Sequence, residues 1–219
     1  MATSLGLGVL VSGTGTNLQA IIDAIERGYL PARICVVISN RSDTYGIKRA
    51  KRCGLPTKVV LPTEFKSRAQ FDNALLTLLT QHGVDLVVLA GFMRLLSKDF
   101  VRAFPDRILN IHPSLLPSFP GLGAQKQAIE SGVRISGATV HLIDEEMDHG
   151  PIISQCAVPV YSNDDEDTLT RRILKQEHRI YPWCIKMFAE GRVQINNGQV
   201  VILNEPRVPD AVIQPSERK

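Results

Sequence analysis

The sequence predicts an α/β fold: a mostly parallel, twisted sheet with helices on both faces, followed by a C-terminal hairpin. Three observations carry this. Short apolar runs alternate with stretches of helical periodicity, the pattern of strands joined by crossover helices. A glycine-rich turn, Ser12-Gly13-Thr14-Gly15-Thr16-Asn17, joins the first apolar run to the first helical one. Near the end of the chain Asn197-Gly198 stands between two apolar runs, a strong hairpin signal.

The elements follow in order. Residues 7–11 read as the first strand. Residues 17–27 read as a helix, because Leu18, Ile21, Ile22 and Ile25 share one face. The β-branched run 34–39 is a strand. Residues 45–53 form a second helix, closed by Gly54 and Pro56. A short strand at 58–61 precedes a helix over 67–81, where Phe71, Leu75, Leu78 and Leu79 recur at helical spacing. Residues 85–90 and 108–111 are buried strands. A loop spans 113–123, marked by Pro117, Pro120 and Gly121. A short helix over 125–131 and strands over 138–142 and 152–160 follow. A long helix over 165–188 is expected to kink or break near Pro182. Strands at 193–195 and 200–203 form the hairpin. No internal repeat is present.

The length of 219 residues fits one large domain. We assign it to 1–204, leaving 205–219, polar and holding three prolines, as a loosely ordered tail. Hydrophobic residues at 44% and charged residues at 21% allow a sizeable core. Lys and Arg number 25 against 22 Asp and Glu, a net charge of +3 that is too mild for a dedicated nucleic-acid binder. Cys35, Cys53, Cys156 and Cys184 form no CxxC pair. They read as reduced thiols of a cytoplasmic protein, with Cys35 in the core. No signal peptide or membrane-length apolar run is seen.

Three motifs can carry chemistry. The turn at 12–17 opens a helix, where backbone N–H groups attract anions and glycines allow close approach. Thr16 or Asn17 could instead cap the helix, and the turn could be a plain strand-to-helix junction. A dinucleotide fingerprint fits poorly: its third glycine falls on Leu18, and Asn40-Arg41 stands where an acidic residue is needed. In Asn110-Ile111-His112-Pro113, period-two geometry puts Asn110 and His112 on one face of a strand end. An amide donor beside an imidazole suits acyl transfer, although both could be structural hydrogen-bonders. The third motif is Asp144-Glu145-Glu146-Met147-Asp148-His149-Gly150-Pro151. Four acids usually mark a solvated loop, and spacing does not choose among them. His82 suits a helix C-terminus, His141 a satisfied core histidine, and His178 a helix-packing site. No HExxH, Cys–His cluster or Gly-x-Ser-x-Gly elbow occurs, which points to direct transfer without metal or covalent intermediate.

Together these motifs resemble the phosphoribosylglycinamide formyltransferase family of purine biosynthesis. The matching stretches are 11–20, Leu89-Ala90-Gly91-Phe92-Met93-Arg94-Leu95-Leu96-Ser97, 110–117, 148–153 and Gln176-Glu177-His178-Arg179-Ile180-Tyr181-Pro182. They run over nearly the whole chain. The resemblance implies a Rossmann-like formyltransferase fold and transfer of the formyl group of 10-formyltetrahydrofolate to the amine of glycinamide ribonucleotide. Carried across by position, it implies that Gly15, Thr16 and Asn17 bind the ribose phosphate and Glu177 the ribose. Arg68, Met93, Arg94, Leu95, Leu96, Asn110 and Asp144 fall at the folate site. Asn110, His112 and Asp148 resemble the catalytic trio, so the resemblance selects Asp148 from the four acids. Gly123 stands where many relatives have His.

The implied partners are two small molecules, with no nucleic acid, membrane or metal, and a monomer or homodimer as the working form. The rivals are other formyl-folate enzymes and a non-catalytic nucleotide-binding module. A methionyl-tRNA formyltransferase would be expected to carry a C-terminal RNA-binding domain, and a formyltetrahydrofolate hydrolase an N-terminal regulatory one.

Overall fold

The computed structural model describes residues 4–205. The elements are β1 (Leu5–Val11), α1 (Thr16–Glu26), β2 (Ala32–Ser39), α2 (Tyr45–Arg52), β3 (Thr57–Val59), a 3-10 turn (Pro62–Glu64), α3 (Arg68–Gln81) and β4 (Leu86–Leu89). They continue with α4 (Lys98–Ala103), β5 (Ile108–His112), α5 (Ala124–Glu130), β6 (Ile135–Leu142), β7 (Ile152–Pro159), α6 (Glu166–Ala189), β8 (Val193–Asn196) and β9 (Gln199–Ile202). One seven-stranded sheet runs in the order β3-β2-β1-β4-β5-β6-β7. The first five strands are parallel, and β6 and β7 are antiparallel to their neighbours. The hairpin β8–β9 is separate, and its turn residues Asn197 and Gly198 both have positive φ, as a two-residue turn of this hand requires.

Both faces of the sheet are covered, so its central strands are apolar on both sides. Leu7, Val9 and Val11 of β1 pack with Leu18, Ile21 and Ile22 of α1 and Tyr181, Cys184 and Ile185 of α6. Leu10, Val87 and Leu89 face the opposite way, toward Phe71, Leu75 and Leu79 of α3 and Phe100 of α4. Gly8 sets how closely α3 approaches: a Cβ there would lie 2.5 Å from Leu79 Cδ2. Tyr181, fully buried, places its phenol oxygen 2.9 Å from the carbonyl oxygens of Leu89 and Leu109. Burial pushes its pKa well up, so it remains a donor there. It ties α6 to the ends of β4 and β5.

Several expectations need correction. The strand expected at 58–61 is Thr57–Val59, and the chain turns at Pro62. Helix α4 was not anticipated; six residues are too few to show a helical period. Pro182 does not interrupt α6, which runs as one helix of 24 residues. The turns beyond it are held by Cys184, Ile185 and Met187, all fully buried, and this packing outweighs one missing N–H. Neither Thr16 nor Asn17 caps α1; the N-cap is Gly15, with left-handed φ 69° and no side-chain bond. Cys35 is half-buried at the edge of the core, its Sγ facing Gly83 O at 3.8 Å. All four cysteines are free. The expected tail over 205–219 lies outside the described residues, apart from Glu205. Among the described residues no helix is long and apolar enough to cross a membrane.

Tyr181→Phe removes the donor shared by two carbonyls and leaves the ring's packing in place. Urea unfolding should show a loss of about 1–3 kcal/mol. A change below about 0.5 kcal/mol would mean that those carbonyls find other partners.

Candidate active site

The sheet changes direction at β1. From β1 the chain moves outward through β2 to β3, then returns to β4 on the other side of β1. The loops after β1 and β4 therefore diverge and open a crevice at the C-terminal ends of the strands, where such sheets bind ligands. Ser12 holds the crevice together. Its hydroxyl donates to Asn40 Oδ1 at 2.6 Å and accepts from Met93 N at 2.8 Å, and its own N–H bonds Gly91 O at 3.0 Å.

On one side lies the glycine-rich turn. Gly15 must be glycine, since φ is +69° and a Cβ would come 2.5 Å from Gly46 Cα. A bulky residue at 15 would thus distort the turn before it met any ligand, whereas a Cβ at Gly13 meets nothing within 4 Å. The first intrahelical bond of α1 runs from Gln19 N to Gly15 O, so the N–H groups of Thr16, Asn17 and Leu18 precede the ladder. No acidic side chain occupies the first turn. The arrangement is an anion site in its geometry and charge. Asn17 is buried, donates Nδ2 to Glu177 Oε2 at 2.7 Å, and leaves its buried Oδ1 without a partner. Glu177 comes from α6, 160 positions along the chain. Burial pushes its carboxyl pKa up, only partly offset by the Asn17 bond.

On the other side are Asn110 and His112, on one face of β5. Strand β6 pairs antiparallel with β5 and sets His141 opposite Asn110 and Thr139 opposite His112. Asn110 Nδ2 lies 3.1 Å from His141 Nε2, and His141 Nδ1 lies 2.9 Å from Leu142 O. A carbonyl only accepts, so Nδ1 carries the proton and Nε2 accepts from Asn110. Burial holds the His141 pKa down, with the Leu142 carbonyl and Asp148 opposing less strongly, which keeps the ring neutral. The orientation of the Asn110 amide is thereby fixed, and its second N–H remains for a ligand. The sequence marks His141 only as a core histidine; its contact with Asn110 depends on a strand register that the sequence does not print.

His112 is buried. Its Nε2 donates to Phe119 O at 2.9 Å, and its Nδ1 lies 3.5 Å from Asp148 Oδ2. Asp148 is held by its backbone: φ is +51°, Oδ2 accepts from Gly121 N at 2.8 Å, and a Cβ on Gly150 would lie 2.2 Å from Leu142 O. The other three acids point elsewhere. Asp144 accepts from His149 Nδ1 at 2.7 Å, and that contact pushes the exposed His149 pKa up. Glu145 bonds Lys98 Nζ at 2.7 Å and Arg102 Nη2 at 2.7 Å, fastening the loop to α4. Glu146 is exposed.

Of the residues carried to the folate site, Met93, Arg94, Leu95 and Leu96 lie in the loop after β4 and Arg68 opens α3. Met93 and Leu95 are 67% and 57% exposed, large for apolar side chains with no burial to gain unless a ligand covers them. The Arg94 guanidinium lies 4.9 Å from the Phe71 ring centre, and Leu96 packs against the α3–α4 side of the core. Arg68 is near through Asp72, whose Oδ2 accepts from Ser97 N at 2.8 Å and lies 3.9 Å from Arg68 Nε. Asp144 precedes Glu145, and its own side chain bonds the backbone of Glu146 and the ring of His149. Leu122, beside Gly123, is 83% exposed. Among the described residues no group of three or more His, Cys, Asp or Glu could hold a metal ion.

The raised pKa of Glu177 makes a pH prediction. The folded protein favours its protonated form, so its contribution to stability is full below the ordinary glutamate value of 4.5. That contribution is lost as pH rises through the raised value. Glu177→Gln keeps the acceptor for Asn17 and removes the titration. Without ligand, the variant should match the wild type in acid and be the more stable of the two at neutral pH, by urea unfolding. If it were the less stable at neutral pH, the ionised carboxylate would be stabilising.

Residues 7–185 match the formyl transferase family model. The phosphoribosylglycinamide formyltransferase of Escherichia coli K12 is 45% identical over 188 residues, 86% of this chain and 89% of that protein. The human trifunctional purine biosynthetic protein adenosine-3 is 46% identical over 198 residues, 90% of this chain but only 20% of its own length. The crystal structure of glycinamide ribonucleotide transformylase 1 from Symbiobacterium toebii is 54% identical with a TM-score of 0.90, covering 91% of this chain and 94% of that one. The chain belongs to the formyl transferase family.

Proposed function

We propose that this chain transfers the formyl group of 10-formyltetrahydrofolate to the amine of glycinamide ribonucleotide in purine biosynthesis, by direct attack without a metal ion. The observation that carries this is one crevice with two differently built ends. One end offers open backbone N–H groups for a phosphate. The other sets an oriented amide donor beside an imidazole–carboxylate pair. A nucleotide gripped at the phosphate end projects toward the second end, where a formyl donor lies against exposed Met93 and Leu95. Gly15, Thr16 and Asn17 bind the phosphate, Glu177 the ribose, and Arg68, Met93, Arg94, Leu95, Leu96, Asn110 and Asp144 the folate. The working unit is one domain over 1–204, located in the cytoplasm as a monomer or homodimer.

In the reaction the amine nitrogen attacks the formyl carbon and the C=O electrons move onto oxygen. Asn110 donates its free N–H to that oxygen. His112, whose Nδ1 lies 3.5 Å from Asp148 Oδ2, stands beside that oxygen and with Asp148 forms the polar pair that faces the developing charge. In the present conformation His112 Nε2 is bonded to Phe119 O, so direct donation to the formyl oxygen requires that carbonyl to withdraw. The tetrahedral species collapses when the bond to the folate nitrogen breaks. The attacking nitrogen gives up a proton and the leaving nitrogen gains one, relayed through water by Asp148. Proximity of the two substrates supplies much of the acceleration.

The test is a transfer assay with both substrates. Asn110→Ala should lower kcat by about 10²–10³, the usual effect of losing one oxyanion donor. His141→Ala, which frees the Asn110 amide to rotate, should lower kcat by roughly tenfold or more while KM for the ribonucleotide holds. Asp148→Asn should also reduce kcat, with Glu146→Gln as the charge control; Glu145 is unsuitable because it fastens the loop. Activity should persist after exhaustive chelation. Release of formate without transfer to the ribonucleotide would overturn the assignment in favour of a hydrolase.

A further inference from the structure

Beyond the crevice, the outer surface between α1 and α6 carries a second concavity. A cavity of about 610 Å³ is lined by Arg27, Tyr29, His178, Arg179, Pro182 and Trp183, among others. It contains no residue of the glycine-rich turn or of the Asn110–His112–Asp148 group. A smaller cavity of about 410 Å³ shares Arg27, His178 and Arg179 with it and extends past Arg49 to Thr16. The two form one groove alongside the phosphate turn. Its size lies within the range of small-molecule sites.

The chemistry of the groove is divided. Cations line it: Arg27 and Arg179 in the shared part and Arg49 in the smaller cavity. Arg27 Nε donates to Asp23 O at 3.1 Å, and Arg179 Nη1 to Gln176 Oε1 at 2.8 Å. Arg49 donates to Thr14 O at 3.0 Å and Gln19 Oε1 at 3.3 Å. Among the described residues none of these three guanidinium groups pairs with a carboxylate. The one acid in the lining is Asp23. His178 also lines both cavities. The far part is aromatic and apolar: Tyr29, Trp183, Pro182, Ile180 and Ala24. Tyr29 is 44% exposed, and its ring is approached by Lys186 Nζ at 5.6 Å from the centre. Unpaired cations next to aromatic faces suit a ligand that joins a phosphate to a flat ring.

We propose that the α1–α6 groove is a second ligand site that binds a nucleotide, with its ring against Trp183 and Tyr29 and its phosphate at Arg27 and Arg179. The ligand lies outside the transfer crevice and is bound together with the phosphorylated substrate.

The chain has one tryptophan, so emission reports on this groove alone. Wild-type protein is titrated with AMP, adenosine and inorganic phosphate, each with and without saturating glycinamide ribonucleotide. AMP should change Trp183 emission saturably, at least about tenfold more tightly than adenosine or phosphate, and should do so in the presence of the ribonucleotide. Arg27→Glu with Arg179→Glu, both exposed positions, should weaken AMP by about tenfold or more without altering transfer activity in the absence of AMP. No saturable change, or equal binding by the charge-reversed protein, would overturn the proposal. So would equal binding of inorganic phosphate, which would indicate an adventitious ion only. Loss of the AMP response on adding the ribonucleotide would also overturn it, because AMP would then be using the substrate's own turn.

Discussion

The site depends first on the hydroxyl of Ser12. It donates to Asn40 at the end of β2 and accepts from Met93 after β4, while its backbone bonds Gly91. Three loops from three neighbouring strands therefore meet at one buried side chain. The strand order makes this possible: β1 is flanked by β2 and β4, so the chain leaves it in both directions. Without such a knot the diverging loops would be free to open further, and the glycine-rich turn and the Met93–Leu96 loop would lose their fixed spacing. One hydroxyl can serve as donor and acceptor together, which is why serine suits the position.

A second constraint comes from the change of direction in the sheet. Strands β1 to β5 are parallel, but β6 returns antiparallel along β5. That pairing sets His141 directly across from Asn110. A parallel neighbour would have required a crossover and a different partner. The antiparallel partner brings a buried imidazole that its own burial keeps neutral, and a neutral ring with Nδ1 committed to Leu142 O must accept at Nε2. The protonation state of one core residue thus decides which way a neighbouring amide points.

Much of this was legible in the sequence, for physical reasons that differ by element. The parallel strands announce themselves because both faces are buried, giving continuous apolar runs such as Leu86–Leu89. The helix α3 shows its period because Phe71, Leu75 and Leu79 must face one core. The hairpin shows because only residues tolerant of positive φ fit Asn197 and Gly198. What stayed hidden depends on long-range geometry. Helix α4 is too short to carry a period, yet it fastens the acidic loop. The Asn17–Glu177 pair spans 160 positions, and only the resemblance to known relatives drew Glu177 to the site. Pro182 misled because local propensity argues for a break, while tertiary burial decides the outcome.

The acidic loop shows why charge counting cannot identify a functional carboxylate. Asp144, Glu145, Glu146 and Asp148 carry the same charge within five positions, yet backbone geometry gives them different work. Asp144 accepts from the backbone of Glu146 and from His149, and so shapes the loop itself. Glu145 faces α4 and two cations; at 35% side-chain exposure it is an anchor of modest strength, since solvent screens such pairs. Asp148 alone turns inward, and it does so through a left-handed backbone conformation that a non-glycine residue adopts only at a cost. The bond from Gly121 N helps to offset that cost and also ties the loop to the 113–123 segment, whose Phe119 carbonyl holds His112 from the other side. The imidazole is therefore set between two loops that are themselves joined. Because Gly121 bonds Asp148 and Phe119 bonds His112, the 113–123 segment and the carboxylate that faces the imidazole are mechanically linked.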